Sequence, residues 1–198
     1  YEKLDRAMAR IFSVADIELP KEVCKRYVVE MPNIFNIVLK SSCLSLYTDQ
    51  VFFLKEDDAN AFSAVKIRRT GESATYYLSN QRWEKVKHPE TGEMVETAVV
   101  DTIFCIPEKE FVHLLSEIDS SLKIMEKVTY SFYIGSSVHC ELDMYACNQT
   151  RAYLSAYLDA DTSENREIKN FNIVREVTYN KEFSDHEIAR SEGRILNN

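Results

Sequence analysis

Val138-His139-Cys140-Glu141-Leu142-Asp143-Met144-Tyr145 is the stretch on which the reading of this chain turns. It alternates without a break: Val138, Cys140, Leu142 and Met144 fall on one side of an extended strand, and His139, Glu141, Asp143 and Tyr145 on the other. Two carboxylates at i and i+2 therefore share a face, about 7 Å apart along the strand. On an ordinary half-buried sheet that face is simply the wet one. The functional question is whether other strands aim charge at the same place.

Outward from this strand the pattern repeats. Met125 to Ile134 sets Lys127, Thr129, Ser131 and Tyr133 against Val128, Tyr130, Phe132 and Ile134, and Ala152 to Ala160 sets Leu154, Ala156 and Leu158 against Ser155, Tyr157 and Asp159. Upstream, Cys24–Glu30, Leu44–Leu54, Phe62–Arg69, Ser73–Trp83 and Val95–Ile106 read as further strands. They are separated by the acidic turn Lys55–Asp58, by Gly71, and by turn chemistry at His88–Gly92. Lys66 and Arg68 share one face of their strand, with Val65 and Ile67 on the other. Helices are expected near residue 34 (Ile34, Ile37, Val38), after Pro107 (Phe111, Leu114, Leu115, Ile118), and behind the capping box Ser184/Glu187. Eight antiparallel strands close comfortably into a barrel whose polar faces line the interior. An open sheet with one face on water is the alternative. The fold class is α+β.

With 198 residues the chain can bury a sizeable single core, and 45% apolar and 28% charged residues place it among globular proteins. A formal net charge of −8 argues against nucleic acid as a partner, although a local basic cluster can still hold a small anion. Five cysteines without a CxxC pair read as reduced, mostly buried thiols of a cytoplasmic protein, and no apolar run is long enough for a membrane span. Leu4, Ala7, Met8, Ile11 and Phe12 recur at helical spacing, so residues 1–20 are expected to form a helix, and residues 21–198 the sheet domain. Because the chain begins at Tyr1, that helix can be the link to an upstream domain; a helix packed on its own domain reads equally well.

The segments K-R-Y-V-V, K-I-R-R-x-G, Y-Y-L-S, K-V-T-Y-S-F, E-L-D-M-Y and E-V-T-Y-N-K-E-F-S-D-x-x-I-A resemble, in order and spacing, the motifs of the CYTH domain, the triphosphate tunnel metalloenzyme superfamily. Q-x-F-F-L and I-P-E-K-E-F resemble most the branch found downstream of a P-loop NTPase domain. The resemblance implies an eight-stranded antiparallel tunnel that binds a triphosphate-containing ligand with Mg²⁺ or Mn²⁺. Carried over residue by residue, it implies phosphate contacts from Arg26, Lys66, Arg68 and Lys127, metal contacts from Glu22, Asp101, Glu141, Asp143, Asp159 and Glu176, and catalytic work by Glu141 and Asp143. Several family positions have changed. Cys24 and Tyr157 stand where glutamates are usual, Gln81 where a lysine is, Thr129 where an arginine is, and Val99 and Ile103 flank the retained Asp101. The expected function is therefore binding of a nucleotide or polyphosphate with weak triphosphatase activity. The alternative is an inactive sensor or a phosphoinositide-binding module. The plainer readings are a solvated face for Glu141 and Asp143 and cross-strand ion pairs for Lys66 and Arg68.

Overall fold

A computed structural model of the chain describes residues 22–34, 42–58, 60–88, 91–135, 138–159 and 168–191. The helix expected over 1–20 and most of the one expected near residue 34 lie outside the described residues. The described chain forms β1 (Glu22–Glu30), β2 (Ser42–Phe53), β3 (Ala61–Thr70), β4 (Ser73–Lys87), β5 (Met94–Ile106), β6 (Met125–Ile134), β7 (Val138–Tyr145), β8 (Arg151–Asp159) and β9 (Ile173–Glu176). Two short helices accompany them, α1 (Glu108–Leu114) and α2 (Asp185–Ser191). Each strand expected from alternation is present, and the Ser184 hydroxyl accepts from the Glu187 amide as the capping box requires. Gly71 turns β3 into β4 at φ +59°, a left-handed conformation that a two-residue hairpin loop needs and glycine accepts without strain.

All pairings are antiparallel, in the order β5-β4-β3-β2-β6-β7-β8-β1-β9. The expected cylinder is thus a curled but open sheet with nine strands among the described residues, not a barrel closed by hydrogen bonds. The ninth strand, Ile-Val-Arg-Glu, is exposed at every position, so it carries no alternation to announce it. β9 lies along the outer edge of β1, and β5 forms the other edge. The chain after β9 spans between these edges. Lys181 Nζ sits 2.8 Å from Glu96 Oε2 of β5 and 4.4 Å from the centre of the Trp83 ring of β4.

The apolar faces are covered in two places. α1 brings Phe111, with Leu114 beside it, onto Val65, Ile67 and Ile106. On the other half of the sheet, Met31, Ile34, Ile168 and Phe171 cover Phe132, Val138, Cys140, Leu142, Leu154 and Leu158. A third cluster lies on the concave side. There Phe183, Ile188 and Ala189 pack onto Val28, Val51, Phe53, Phe62, Met125 and Tyr153, so the C-terminal segment stops one end of the cylinder. Of the four cysteines whose side chains are described, all free thiols, Cys140 is buried and Cys24 half-buried. Cys105 and Cys147 are exposed, which corrects the expectation of mostly buried thiols. Among the described residues no helix is long and apolar enough to cross a membrane.

Ile188, fully buried in the stopper, and Ile103, 47% exposed on the β5 edge, test this arrangement. Ile188→Ala should cost about 2–4 kcal/mol of unfolding free energy and Ile103→Ala less than about 0.5 kcal/mol, measured by urea denaturation.

Candidate functional site: a charge-lined concave wall

Strand parity places the polar side chains. On β7 the face opposite Val138, Cys140 and Leu142 carries His139, Glu141, Asp143 and Tyr145. Register sets Thr129 opposite Asp143, Ser131 opposite Glu141 and Lys127 opposite Tyr145. β8 adds Tyr153, Ser155 and Tyr157 opposite Asp143, Glu141 and His139, and Arg26 of β1 lies opposite Ser155. From the other flank β2 contributes Tyr47 and Asp49, and β3 contributes Lys66 and Arg68. Curvature then makes distant strands meet. Lys127 and Arg26 stand three strands apart, about 14 Å along a flat sheet. Both nevertheless reach one carboxylate, Asp185 of α2, at 3.4 and 3.9 Å. Tyr47 of β2 likewise reaches over β6 to donate to Glu141 of β7 at 3.1 Å.

The four cations expected at the site all lie on this wall, and each has an anionic partner. Arg68 makes a two-pronged contact with Asp49, Nε to Oδ1 at 2.9 Å and Nη2 to Oδ2 at 2.8 Å, and Lys66 lies 3.6 Å from the same carboxylate. The plain reading of Lys66 and Arg68 as cross-strand ion-pair partners therefore describes their contacts with Asp49. Lys127 donates to Asp143 at 2.7 Å, and Thr129 donates to the other oxygen of Asp143 at 2.5 Å. Arg68 also lies 3.7 Å from the centre of the Tyr47 ring, and Arg26 5.1 Å from that of Tyr153. Such stacking suits a guanidinium, whose weak hydration makes it tolerant of partial burial.

Electrostatics follow from burial and pairing. Burial alone would push the Asp185 carboxyl up, but Lys127, Arg26 and the Tyr145 hydroxyl outweigh it and hold the group at about 2. Asp49 is 1% exposed; burial opposes its charge, yet Arg68 and Lys66 keep it below the usual carboxyl range. Burial lowers the Lys66 ammonium despite Asp49. The Tyr157 hydroxyl is raised by burial and then by Glu141, to which it donates at 3.2 Å. One polar group is left over: the hydroxyl of Tyr153 is buried without a hydrogen-bond partner among the described residues. Such a group costs about 1–3 kcal/mol.

The expected metal ligands divide. Glu141 and Asp143 are brought together on the wall. Glu141 accepts from Tyr47 and Tyr157, and no cation pairs with it among the described residues, whereas Asp143 is committed to Lys127 and Thr129. Glu176 stands apart on β9, accepting from Thr178 at 2.9 Å and lying 3.8 Å from Lys25. The backbones of Glu22 and Asp159 face each other across β1 and β8, but these side chains and that of Asp101 lie outside the described residues. Among the described residues no three His, Cys, Asp or Glu side chains converge as a metal cluster. Sequence reasoning missed Asp49 and Asp185. Asp49 shares a strand face with Tyr47 and Val51, and only the β2–β3 register reveals that it faces Arg68. Asp185 reads as an ordinary acid in a helix's first turn, and only the fold aims it inward.

No protein-family model and no curated protein matches this chain. Solved structures do. The chain is similar to the crystal structure of the inorganic triphosphatase NE1496, at 14% identity over 87% of this chain and 97% of that one, with a TM-score of 0.51. It is also similar to the PH1819 protein from Pyrococcus horikoshii OT3, at 14% identity over 89% of this chain and all of that one, with a TM-score of 0.57. At such identities the likeness is one of fold: the α+β curled sheet described above is shared with an inorganic triphosphatase.

The depressed Asp185 carboxyl makes a pH prediction. A group whose folded value lies below its unfolded one stabilises above the unfolded value and loses that contribution as pH falls through the folded one. Wild type should therefore be more stable than Asp185→Asn above about pH 4, and the difference should vanish toward about pH 2. With Asp185 a third exposed the difference should not exceed about 2 kcal/mol. Chemical denaturation at a series of pH values measures it.

Proposed function

We propose that this chain is a CYTH-type tunnel domain that binds a triphosphate-containing ligand, a nucleotide or polyphosphate, together with a divalent cation, and hydrolyses it weakly. The observation that carries the reading is that Arg26, Lys66, Arg68 and Lys127, from three separate strands, share one concave wall, in a fold also used by an inorganic triphosphatase. A polyphosphate needs several fixed cations, and arginine forks suit its oxygens. Each cation on the wall is balanced by a carboxylate, so the ligand's charge must take over the place of an internal anion or arrive partly neutralised. Mg²⁺ or Mn²⁺ supplies that neutralisation when bound.

The residues present fit a sparing metal site. Mg²⁺ needs only one or two protein carboxylates beside phosphate oxygens, and Glu141, held by two phenol hydroxyls and, among the described residues, by no cation, is an acid available for it. Asp143 acts chiefly on Lys127, fixing the ammonium that faces the phosphates. Hydrolysis here is a matter of positioning and charge neutralisation, with Glu141 able to orient a water. The motif segments that resemble the branch downstream of a P-loop NTPase domain make such a domain the proposed upstream neighbour.

A second reading is supported by the internal engagement of both acids: a module that binds a nucleotide or phosphoinositide without turnover. The two separate in one assay series. Tripolyphosphate, ATP and GTP, with and without Mg²⁺ or Mn²⁺, should raise the melting temperature, and Lys66→Ala and Arg68→Ala should each weaken binding about tenfold or more. Metal-dependent phosphate release abolished by Glu141→Ala supports the enzyme. A thermal shift without product supports the binding module. No shift with any phosphate compound removes both.

A further inference from the structure

The proposed mechanism leaves two interior groups unused, and they lie together. The first is Tyr153, wholly buried on β8, whose hydroxyl has no hydrogen-bond partner among the described residues. Native structures rarely keep such a group without a use. Its surroundings are polar on one side. The Arg26 guanidinium lies over its ring, the Tyr145 ring meets it edge-on at 5.6 Å, and Phe183 closes the stoppered side at 6.3 Å. The second is Asp185, which collects three donors. The Tyr145 hydroxyl donates to Oδ1 at 2.8 Å, Lys127 Nζ lies 3.4 Å from Oδ2, and Arg26 Nη2 lies 3.9 Å from Oδ1. An arginine, a lysine and a phenol converging on one small anion is also a phosphoryl-binding set. The carboxylate offers two oxygens to these donors, whereas a terminal phosphoryl group offers three. The unpartnered phenol of Tyr153 is a further donor, one that Asp185 leaves unused.

We propose that Asp185 occupies the innermost anion subsite of the tunnel in the ligand-free protein, that the terminal phosphoryl group of a polyphosphate chain displaces it, and that the Tyr153 hydroxyl then donates to that group. The inference rests on the reading of the wall as a polyphosphate site. The exchange replaces one anion by another, so Arg26 and Lys127 stay neutralised in both states. Asp185, a third exposed, stands at the accessible side of the subsite, and Tyr153 at its buried side.

Tripolyphosphate binding to the whole chain, measured by titration calorimetry for wild type, Tyr153→Phe, Asp185→Asn and Lys66→Ala, tests this. Asp185→Asn, which no longer competes with a charge, should bind about tenfold more tightly than wild type. Tyr153→Phe should bind about tenfold more weakly, while the melting temperature of its ligand-free form stays the same or rises, because the lost hydroxyl made no bond there. A merely structural tyrosine would show the opposite pair of results. Unchanged affinity in Tyr153→Phe, or weakened affinity in Asp185→Asn, overturns the inference. If Lys66→Ala still weakens binding in that case, the polyphosphate reading survives without it. Absence of binding by every form removes both. Tyr153→Phe, which deletes a single oxygen, decides the matter alone should Asp185→Asn not fold.

Discussion

Positive charge placed inside a curled sheet must be answered by negative charge close at hand, because a partly buried ion left alone costs several kcal/mol. That requirement shapes this molecule more than any other. Asp49 answers Arg68 and Lys66, Asp143 answers Lys127, and Asp185 answers Arg26 and Lys127 together. The last of these ties the C-terminal helix to strands at both ends of the β6-to-β1 half of the sheet. Fold and candidate site therefore share the same ion pairs.

Aromatic side chains do the finer positioning. Tyr47 and Tyr157 grip Glu141 from opposite flanks of β7, and Tyr47 also lies under the Arg68 guanidinium. At the end of the wall away from the stopper, the His139 ring stacks on Tyr157 at 5.0 Å, and its Nε2 lies 2.8 Å from the Ser131 hydroxyl. Tyr157 thus takes a definite part in a position where the resembling family carries an acid. Its hydroxyl is a donor that holds Glu141 still.

Much of this was legible in the sequence, for a physical reason. Alternation with period two is a property of neighbours along the chain, so Val138 to Tyr145, Met125 to Ile134 and the Lys66/Arg68 pair declare their faces without reference to anything distant. Partners across strands are different. That Asp49 faces Arg68 depends on the register of the β2–β3 hairpin, and that Asp185 meets Arg26 depends on the curl of the entire sheet. Neither is encoded in local spacing. β9 escaped notice because four exposed residues show no contrast between faces, and alternation says nothing about whether the outer strands of a sheet meet.

The seam between β5 and β9 has a mechanical meaning. A barrel zipped shut by backbone hydrogen bonds has a circumference fixed by strand number and stagger. Here the two margins are bridged by Lys181, with Glu96 and the Trp83 ring as its anchors. An exposed contact of that kind is worth no more than about 1 kcal/mol. Packing holds the same margins, with His186 of α2 against Phe62 and Trp83 and Tyr179 against His88, so side chains rather than a backbone ladder set the girth of the cylinder.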